Sequence, residues 1–144
     1  MLCPFCQHDK TEVFNSRTTA RSTQVWRRRR CKRCQNAFTT YEAYDLGFLD
    51  VRQRDDSTLS YSRARLFSSI YLAFVGSELG SDQNVDNVTA TIEHKLQATQ
   101  KPLLHRDEII AIVVASIRPL SITATMRYLA DHPPSDTKNP SSLL

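Results

Sequence analysis

The four cysteines of this 144-residue chain form two Cys-x-x-Cys pairs, Cys3 with Cys6 and Cys31 with Cys34. Each spacing lets two sulfur atoms of one turn reach the same ion, and two pairs supply the four thiolates of a tetrahedral zinc site. Four thiolates leave no open position for water or substrate, so we predict one structural Zn²⁺ per chain. A fifth ligand from the neighbouring His8 is not needed.

Two disulfide bonds are the competing interpretation of the same cysteines. Disulfides are typical of secreted proteins. The chain begins Met-Leu-Cys without the features of an export signal, so we expect a reducing, cytoplasmic location. Its most apolar stretch, residues 109–117, is too short to span a bilayer, and no membrane partner is expected. Neither pair follows a βαβ pattern, which disfavours a thioredoxin-like redox role.

The basic charge is concentrated at one end of the chain. Residues 1–46 hold nine Lys/Arg against four Asp/Glu, a net charge of +5, whereas residues 47–132 hold nine against ten. This asymmetry predicts that the first segment meets a polyanion, and we expect double-stranded DNA. The alternative is a solvated face that only keeps the protein soluble. The predicted DNA-binding residues are Arg17, Arg27, Arg28, Arg29, Arg30, Lys32 and Arg33.

Three short strands are predicted in residues 1–46. The segments are 12–17, 23–30 and 37–41, with a turn at 20–22 between the first two. Successive side chains of a strand point to opposite faces, so the four consecutive arginines divide between both faces and at least one face is exposed or phosphate-bound. A segment this short needs a staple in order to fold, and two cysteine turns with three strands make a zinc ribbon. Trp26 is expected in its small core.

A second domain is predicted for residues 47–132. A hairpin comes first, with strands at 48–54 and 58–61 and a turn at 55–57. Four helices follow, and residues 133–144 are expected to be a disordered tail. The predicted helix starts are Ser62, Ser81 or Asp82, Asp107 and Ser121. The predicted inward residues are Leu66, Phe67, Ile70, Tyr71, Phe74, Val75, then Val85, Val88, Ile92, Leu96, then Ile109, Ile112, Val113, Ile117, and finally Ile122, Met126, Leu129.

The predicted fold class is therefore α+β, a small antiparallel zinc ribbon followed by a mostly helical domain with a short β-hairpin. No Ser/His/Asp or Cys/His arrangement is discernible, and the cysteines are assigned to the metal, so an enzyme is not predicted. The chain has only three glycines and no Gly-x-x-x-x-Gly-Lys motif. Any triphosphate must therefore bind to side chains and a helix N-terminus.

Five sequence motifs of the first segment together resemble the NrdR repressors of bacterial ribonucleotide reductase genes. They are Cys3-Pro4-x-Cys6, Ser16-Arg17, Arg27 to Arg30, Cys31-x-x-Cys34 and Phe38-Thr39-Thr40-Tyr41-Glu42. The resemblance implies a DNA-binding zinc ribbon before an ATP-cone, a hairpin-plus-helices domain that senses ATP and dATP. It further implies a homo-oligomer, from dimer to tetramer or larger, whose assembly is set by the bound nucleotide and which binds inverted-repeat operators.

The nucleotide-binding residues that this resemblance implies are Val51, Arg52, Arg54, Arg65 and Arg127. The chain departs from the family where Arg52-Gln53-Arg54 replaces x-Lys-Arg, and where Arg65 replaces a lysine. Gln7 and Gln35 stand where glycine usually follows each cysteine pair. We expect backbone strain at both positions, with Asn36 relieving the second.

Three alternative functions remain open. The second domain could be a degenerate cone used only for oligomerisation, or the chain could be a cone-bearing accessory protein of ribonucleotide reductase. A ribbon that binds RNA rather than duplex DNA is the third alternative.

Overall fold

A computed structural model describes residues 1–18 and 24–135. The chain divides into two compact units, Met1–Asp45 and Leu46–Leu144. The turn predicted at 20–22 and residues 136–144 of the predicted tail lie outside the described residues. Within the described ranges, no helix is long and apolar enough to cross a membrane.

The first unit is a three-stranded antiparallel sheet in the order β1-β2-β3. Its strands are β1 (Thr11–Thr18), β2 (Gln24–Cys31) and β3 (Ala37–Ala43), each within two residues of a predicted segment. The arginine run lies in β2, the middle strand, which is paired on both sides. The predicted antiparallel ribbon is confirmed.

Each Cys-x-x-Cys turn is closed by a residue with a left-handed backbone. The φ angle is 56° at Gln7 and 61° at Gln35. The N–H of Gln7 donates to the carbonyl of Cys3 at 2.8 Å, and that of Gln35 to the carbonyl of Cys31 at 3.1 Å. A residue with a Cβ is strained in this region by about 1 kcal/mol. The expected strain is present in both turns, but Gln35 itself adopts the left-handed backbone, so the expectation for Asn36 is wrong.

The second unit begins with a 3-10 turn, Leu46–Phe48, and a three-stranded sheet of order β5-β4-β6. The strands are β4 (Asp50–Arg52), β5 (Thr58–Ser60) and β6 (Leu103–His105). β4 and β5 form the predicted hairpin, shorter than expected, whereas β6 pairs with β4 in parallel and was not predicted. A three-residue strand is too short to show a period of two, and its partner lies some fifty residues earlier.

Four helices complete the unit: α1 (Arg63–Phe74), α2 (Asp82–Ala98), α3 (Arg106–Ile117) and α4 (Ile122–Asp131). The hydroxyl groups of Ser62, Ser81 and Ser121 accept hydrogen bonds from the backbone at the starts of α1, α2 and α4, as predicted. The start predicted for α3 at Asp107 is late by two residues. The cap is His105, whose N–H donates to the Glu108 carboxylate at 2.8 Å.

The helices pack in a ring, with α1 and α3 each between α2 and α4. The core contains predicted residues such as Ile70, Phe74, Ile92 and Val113. Val75 is exposed because the helix ends just before it, and its backbone is no longer helical. In α3 the predicted Val113 and Ile117 are buried together with Ile110 and Val114, while the predicted Ile109 and Ile112 are half-buried.

The inward face predicted for α4 is right for Leu129, which is half-buried against the core, and wrong for Ile122 and Met126. Ile122 and Met126 are 64% and 54% exposed, whereas Ala124, Thr125 and Tyr128 are buried. Thr125 tolerates burial because its hydroxyl group donates to the carbonyl of Ser121 at 2.8 Å. A pattern search that counts only apolar residues misses a face built from alanine, threonine and tyrosine.

Two isoleucines provide a matched test of this packing. Ile92 is fully buried and Ile122 is 64% exposed. We expect Ile92→Ala to lower the free energy of unfolding by about 2–5 kcal/mol, because it removes buried methyl groups and leaves a cavity. Ile122→Ala should change it by less than about 0.5 kcal/mol. Urea denaturation at low protein concentration measures both, and equal losses would contradict the orientation of α4.

Candidate metal centre and nucleic-acid interface

The two cysteine turns bring four sulfur atoms together. The Sγ atoms of Cys3, Cys6, Cys31 and Cys34 all lie within 4.8 Å of one another. Cys3 and Cys34 are 3.6 Å apart, as are Cys6 and Cys31, and all four are free thiols. Tetrahedral zinc with Zn–S bonds of about 2.3 Å requires sulfur atoms about 3.8 Å apart. The cluster therefore fits a zinc ion closely and does not fit two disulfide bonds, whose sulfur atoms are about 2.05 Å apart.

The four thiols also have the electrostatics of a cation site. Backbone N–H groups of Cys34 and Arg33 point at the Cys31 sulfur and, against burial, lower the pKa of that thiol to about 7. At Cys34 the backbone N–H of Asn36 acts in the same direction. Burial and the three neighbouring sulfurs outweigh it and raise the pKa of Cys34 to about 12. A divalent cation removes this conflict, because it stabilises all four thiolates together.

The site is closed, as a structural metal site should be. Cys3 and Cys31 are buried, and none of the four sulfurs is displaced from the cluster. His8 is not part of it, and its ring nitrogen Nδ1 lies 3.6 Å from the Asp9 carboxylate instead. Four sulfur ligands leave no coordination position for substrate, so the metal supports the fold rather than a reaction.

The strand register assigns the arginines of β2 to two different faces, because directly opposite residues of a sheet share a face. The first, the aromatic face, carries Arg28 and Arg30 together with the cross-strand row Arg17, Trp26 and Tyr41. Trp26 is half-buried in this row, and Tyr41 is 64% exposed. Arg28 donates to the Thr39 hydroxyl at 2.9 Å.

The second, the paired face, carries Arg27 and Arg29. Arg27 forms a two-point ion pair with Glu42, with nitrogen–oxygen distances of 2.8 and 2.9 Å. Arg29 donates from Nε to the Thr40 hydroxyl at 3.2 Å. The positive charge of this face is therefore partly neutralised by the protein itself.

A β-bulge adds a residue that sequence analysis missed. The register of β1 and β2 shifts between Val13 and Asn15, which places Phe14 at the bulge. The Arg30 guanidinium lies over the Phe14 ring, 4.8 Å from its centroid. This cation–π contact contributes about 0.5–1 kcal/mol at an exposed site and restrains the Arg30 side chain. Of the other predicted DNA-binding residues, Lys32 lies 3.5 Å from Glu12, and Arg33 is exposed on the second cysteine turn.

The predicted nucleotide-binding residues of the second unit are only partly brought together. Val51 and Arg52 lie in β4, Arg54 is in the following turn, and Arg65 is in the first turn of α1. The Arg52 Nε atom is buried without a hydrogen-bond partner among the described residues. The pKa of the Asp107 carboxyl group is lowered chiefly by hydrogen bonds from Ser135, and the positive charge of Arg54 contributes in the same direction.

Arg127 is not brought to the same place. Its Nη1 atom donates to the carbonyl of Val75 at 2.7 Å, at the C-terminal end of α1. Val75 follows Arg65 by ten residues, which corresponds to about 15 Å along a helix. Arg106, which sequence analysis missed, lies at the start of α3 instead, and its charge acts on both Asp107 and Tyr128. No sequence motif marks Arg106, because its position depends on the unpredicted strand β6.

The fold and site define a class: a zinc-ribbon protein with a basic middle strand, followed by a small helical unit. Residues 1–42 match the family model described as "Transcriptional repressor NrdR-like, N-terminal domain". The chain is 34% identical over 128 residues to the transcriptional repressors NrdR of Burkholderia cenocepacia (strain HI2424) and Burkholderia orbicola (strain MC0-3), which covers 89% of this chain and 80% of each relative. It is 33% identical to the NrdR repressor of Burkholderia pseudomallei (strain 668) over the same shares.

The chain belongs to the NrdR family of transcriptional repressors. Its relatives are named as transcriptional repressors, which is a non-enzymatic function, in agreement with the prediction that the chain is not an enzyme. Its ribbon is a zinc-binding module, and a repressor of transcription acts on DNA.

Zinc removal gives a selective test, because Trp26 is the only tryptophan of the chain and lies in the ribbon. We expect a strong chelator, or Cys34→Ser, to unfold the ribbon, because structural zinc supplies about 10–16 kcal/mol of folding free energy to such modules. Trp26 fluorescence should shift to the solvent-exposed value, while the helical circular dichroism of the second unit persists. Zinc content is measured on the same samples. An unchanged Trp26 spectrum in metal-free protein would contradict the assignment.

Proposed function

We propose that this chain is a zinc-dependent repressor of ribonucleotide reductase genes that binds duplex operators through its ribbon and is regulated by ATP and dATP. The observation that carries the proposal is the sulfur cluster, which fixes an arginine-rich middle strand in place. The ligands in this proposal are Cys3, Cys6, Cys31 and Cys34. A protein with this function acts at the nucleoid in the cytoplasm.

We assign the main DNA contact to the aromatic face of the ribbon. Among the described residues, Arg17, Arg28 and Arg30 form no ion pair, whereas Arg27 on the paired face is bound by Glu42. Unneutralised arginines release more counterions when they meet phosphate groups. The exposed rings of Phe14 and Tyr41 stand beside these arginines, where they can pack against sugars or bases.

Arg30 and Arg27 are a matched pair for testing this assignment. We expect Arg30→Ala to weaken operator binding about tenfold and to reduce the slope of log affinity against log salt concentration by about one. Arg27→Ala should reduce the slope by less, because Glu42 already neutralises that charge. Fluorescence anisotropy across a salt series measures both variants, with zinc content as the control for folding. Equal changes in slope would refute the choice of face.

We further propose that the protein acts as a homo-oligomer. A single ribbon is small, and several ribbons held together bind DNA far more tightly than one. Exposed apolar side chains in α1 and α4, and just before α4 and after α1, support self-association, since such side chains often lie at contact sites. They are Leu72, Val75, Leu120, Ile122 and Met126, all at least 47% exposed.

The proposed nucleotide site uses Arg52, Arg54 and Arg65, with Val51 beside them. The N-terminus of α1 adds the positive end of a helix dipole, which favours phosphate groups. A nucleotide that fits one oligomer better than another shifts the assembly by its difference in affinity. One observation favours the alternative in which the cone does not bind nucleotide and serves only for oligomerisation. Arg127 donates to the Val75 carbonyl, away from the other arginines.

Native mass spectrometry with ATP and then dATP tests the sensor, because it reports bound zinc, bound nucleotide and subunit number together. We expect nucleotide binding and a different subunit number in ATP and dATP. Arg65→Ala should raise the nucleotide dissociation constant about tenfold by removing a charge-assisted hydrogen bond, and Arg127→Ala should not. Wild-type protein that binds operator DNA but neither nucleotide would support the cone without sensing.

A further inference from the structure

Residues 132–135, which follow α4, fold back onto the helical unit. We call residues 132–135 the C-terminal strap. The His132 ring stacks on the buried Tyr128 ring, with centroids 4.5 Å apart and an angle of 13° between the planes. The N–H of His132 donates to the Tyr128 carbonyl at 2.9 Å, so the strap leaves the helix in a fixed direction.

Three polar contacts then tie the strap to α1 and α3. His132 Nε2 lies 3.3 Å from the Ser69 hydroxyl of α1. The Pro133 carbonyl accepts a hydrogen bond from Arg106 Nη1 at 3.3 Å, and the Ser135 N–H donates to the Asp107 carboxylate at 3.2 Å. The strap therefore spans from one helix to the other.

Both anchoring points adjoin the residues of the proposed nucleotide site. The Ser69 hydroxyl group donates to the carbonyl of Arg65, one turn earlier on α1, at 2.9 Å. Residues four positions apart share a helix face, so Ser69 and Arg65 are neighbours. At the other anchor, the positive charges of Arg54 and Arg106 both act on Asp107. The strap thus runs from Ser69, a helix neighbour of Arg65, to Arg106 and Asp107 at the start of α3.

The strap also satisfies groups that a triphosphate would use. Arg106 donates to a strap carbonyl, where a phosphate oxygen would be a stronger acceptor. Hydrogen bonds from Ser135 are the largest cause of the lowered pKa of Asp107. Asp107 is an anion at neutral pH whether or not the strap is bound, and the Ser135 N–H occupies one of its oxygen atoms.

We propose that the strap is an autoinhibitory segment that competes with the nucleotide for the arginine-bearing end of the second unit. This inference rests on the nucleotide binding proposed above. The strap must release Arg106 before a phosphate group can bind to it, so the apparent affinity for nucleotide is reduced by the fraction of molecules in which the strap is open. The strap thereby sets the nucleotide concentration at which the repressor responds.

Two substitutions at one position test the competition in the full-length chain. Ser135→Pro removes both the hydroxyl group and the backbone N–H that act on Asp107, whereas Ser135→Ala removes the hydroxyl group alone. We expect Ser135→Pro to bind ATP or dATP about two- to tenfold more tightly than wild type, the range by which one ordinary hydrogen bond shifts an equilibrium, and Ser135→Ala to show a smaller gain in the same direction. A chain ending at Asp131 should gain at least as much. Calorimetric titration measures affinity, and thermal unfolding confirms that each variant is folded.

The outcomes distinguish failure of the strap proposal from failure of the proposed nucleotide binding. Tighter binding by Ser135→Pro and by the shortened chain, or binding only after shortening, supports the strap. Equal affinities in all folded chains, or weaker binding by Ser135→Pro, overturn the strap and leave the sensor in place. If no chain binds ATP or dATP, including the shortened one, both the strap and the proposed sensor are refuted.

Discussion

The first unit depends on the meeting of four sulfur atoms around one cation. Within its described residues, the fully buried apolar side chains are those of Cys3 and Cys31, whereas the rings of Phe5, Phe14 and Tyr41 are 49–64% exposed. The ordinary hydrophobic driving force is therefore weak in this unit, and the metal site takes the place of a core. Both turns that build the site accept a strained glutamine, which indicates how strongly the cluster determines the local backbone.

The same cluster explains the sharp functional division of the chain. Because the metal orders the sheet, the sheet faces do not need to bury apolar side chains. The middle strand can therefore carry four consecutive arginines. Their neighbours then make them unequal: Glu42 and Thr40 bind those of the paired face, while Phe14 supports Arg30 on the aromatic face. The second unit, in contrast, is stabilised by a conventional hydrophobic core and carries its charges at its ends.

The spacing of the cysteines and the serine caps of the helices made much of the fold and of the metal site predictable from the sequence. The cysteine pairs, the alternation within β2 and the serine caps are local features, whose consequences are fixed within a few residues. Features that depend on distant partners were not predictable: strand β6 and the position of Arg127. The buried face of α4 was missed for a different reason: it contains a threonine, whose hydroxyl group is satisfied by the Ser121 carbonyl one turn earlier, so a count of apolar residues does not identify it. The guanidinium of Arg127 is placed by the end of α1, some fifty residues away.

The central position of β2 has one further consequence. Because both neighbours hold its backbone, the guanidinium groups on one face are anchored two residues apart, about 6.8 Å along the strand. This spacing equals about two steps of the 3.4 Å rise of one DNA strand. In the proposed DNA contact the backbone of this strand is therefore already ordered, so that binding costs little backbone conformational freedom.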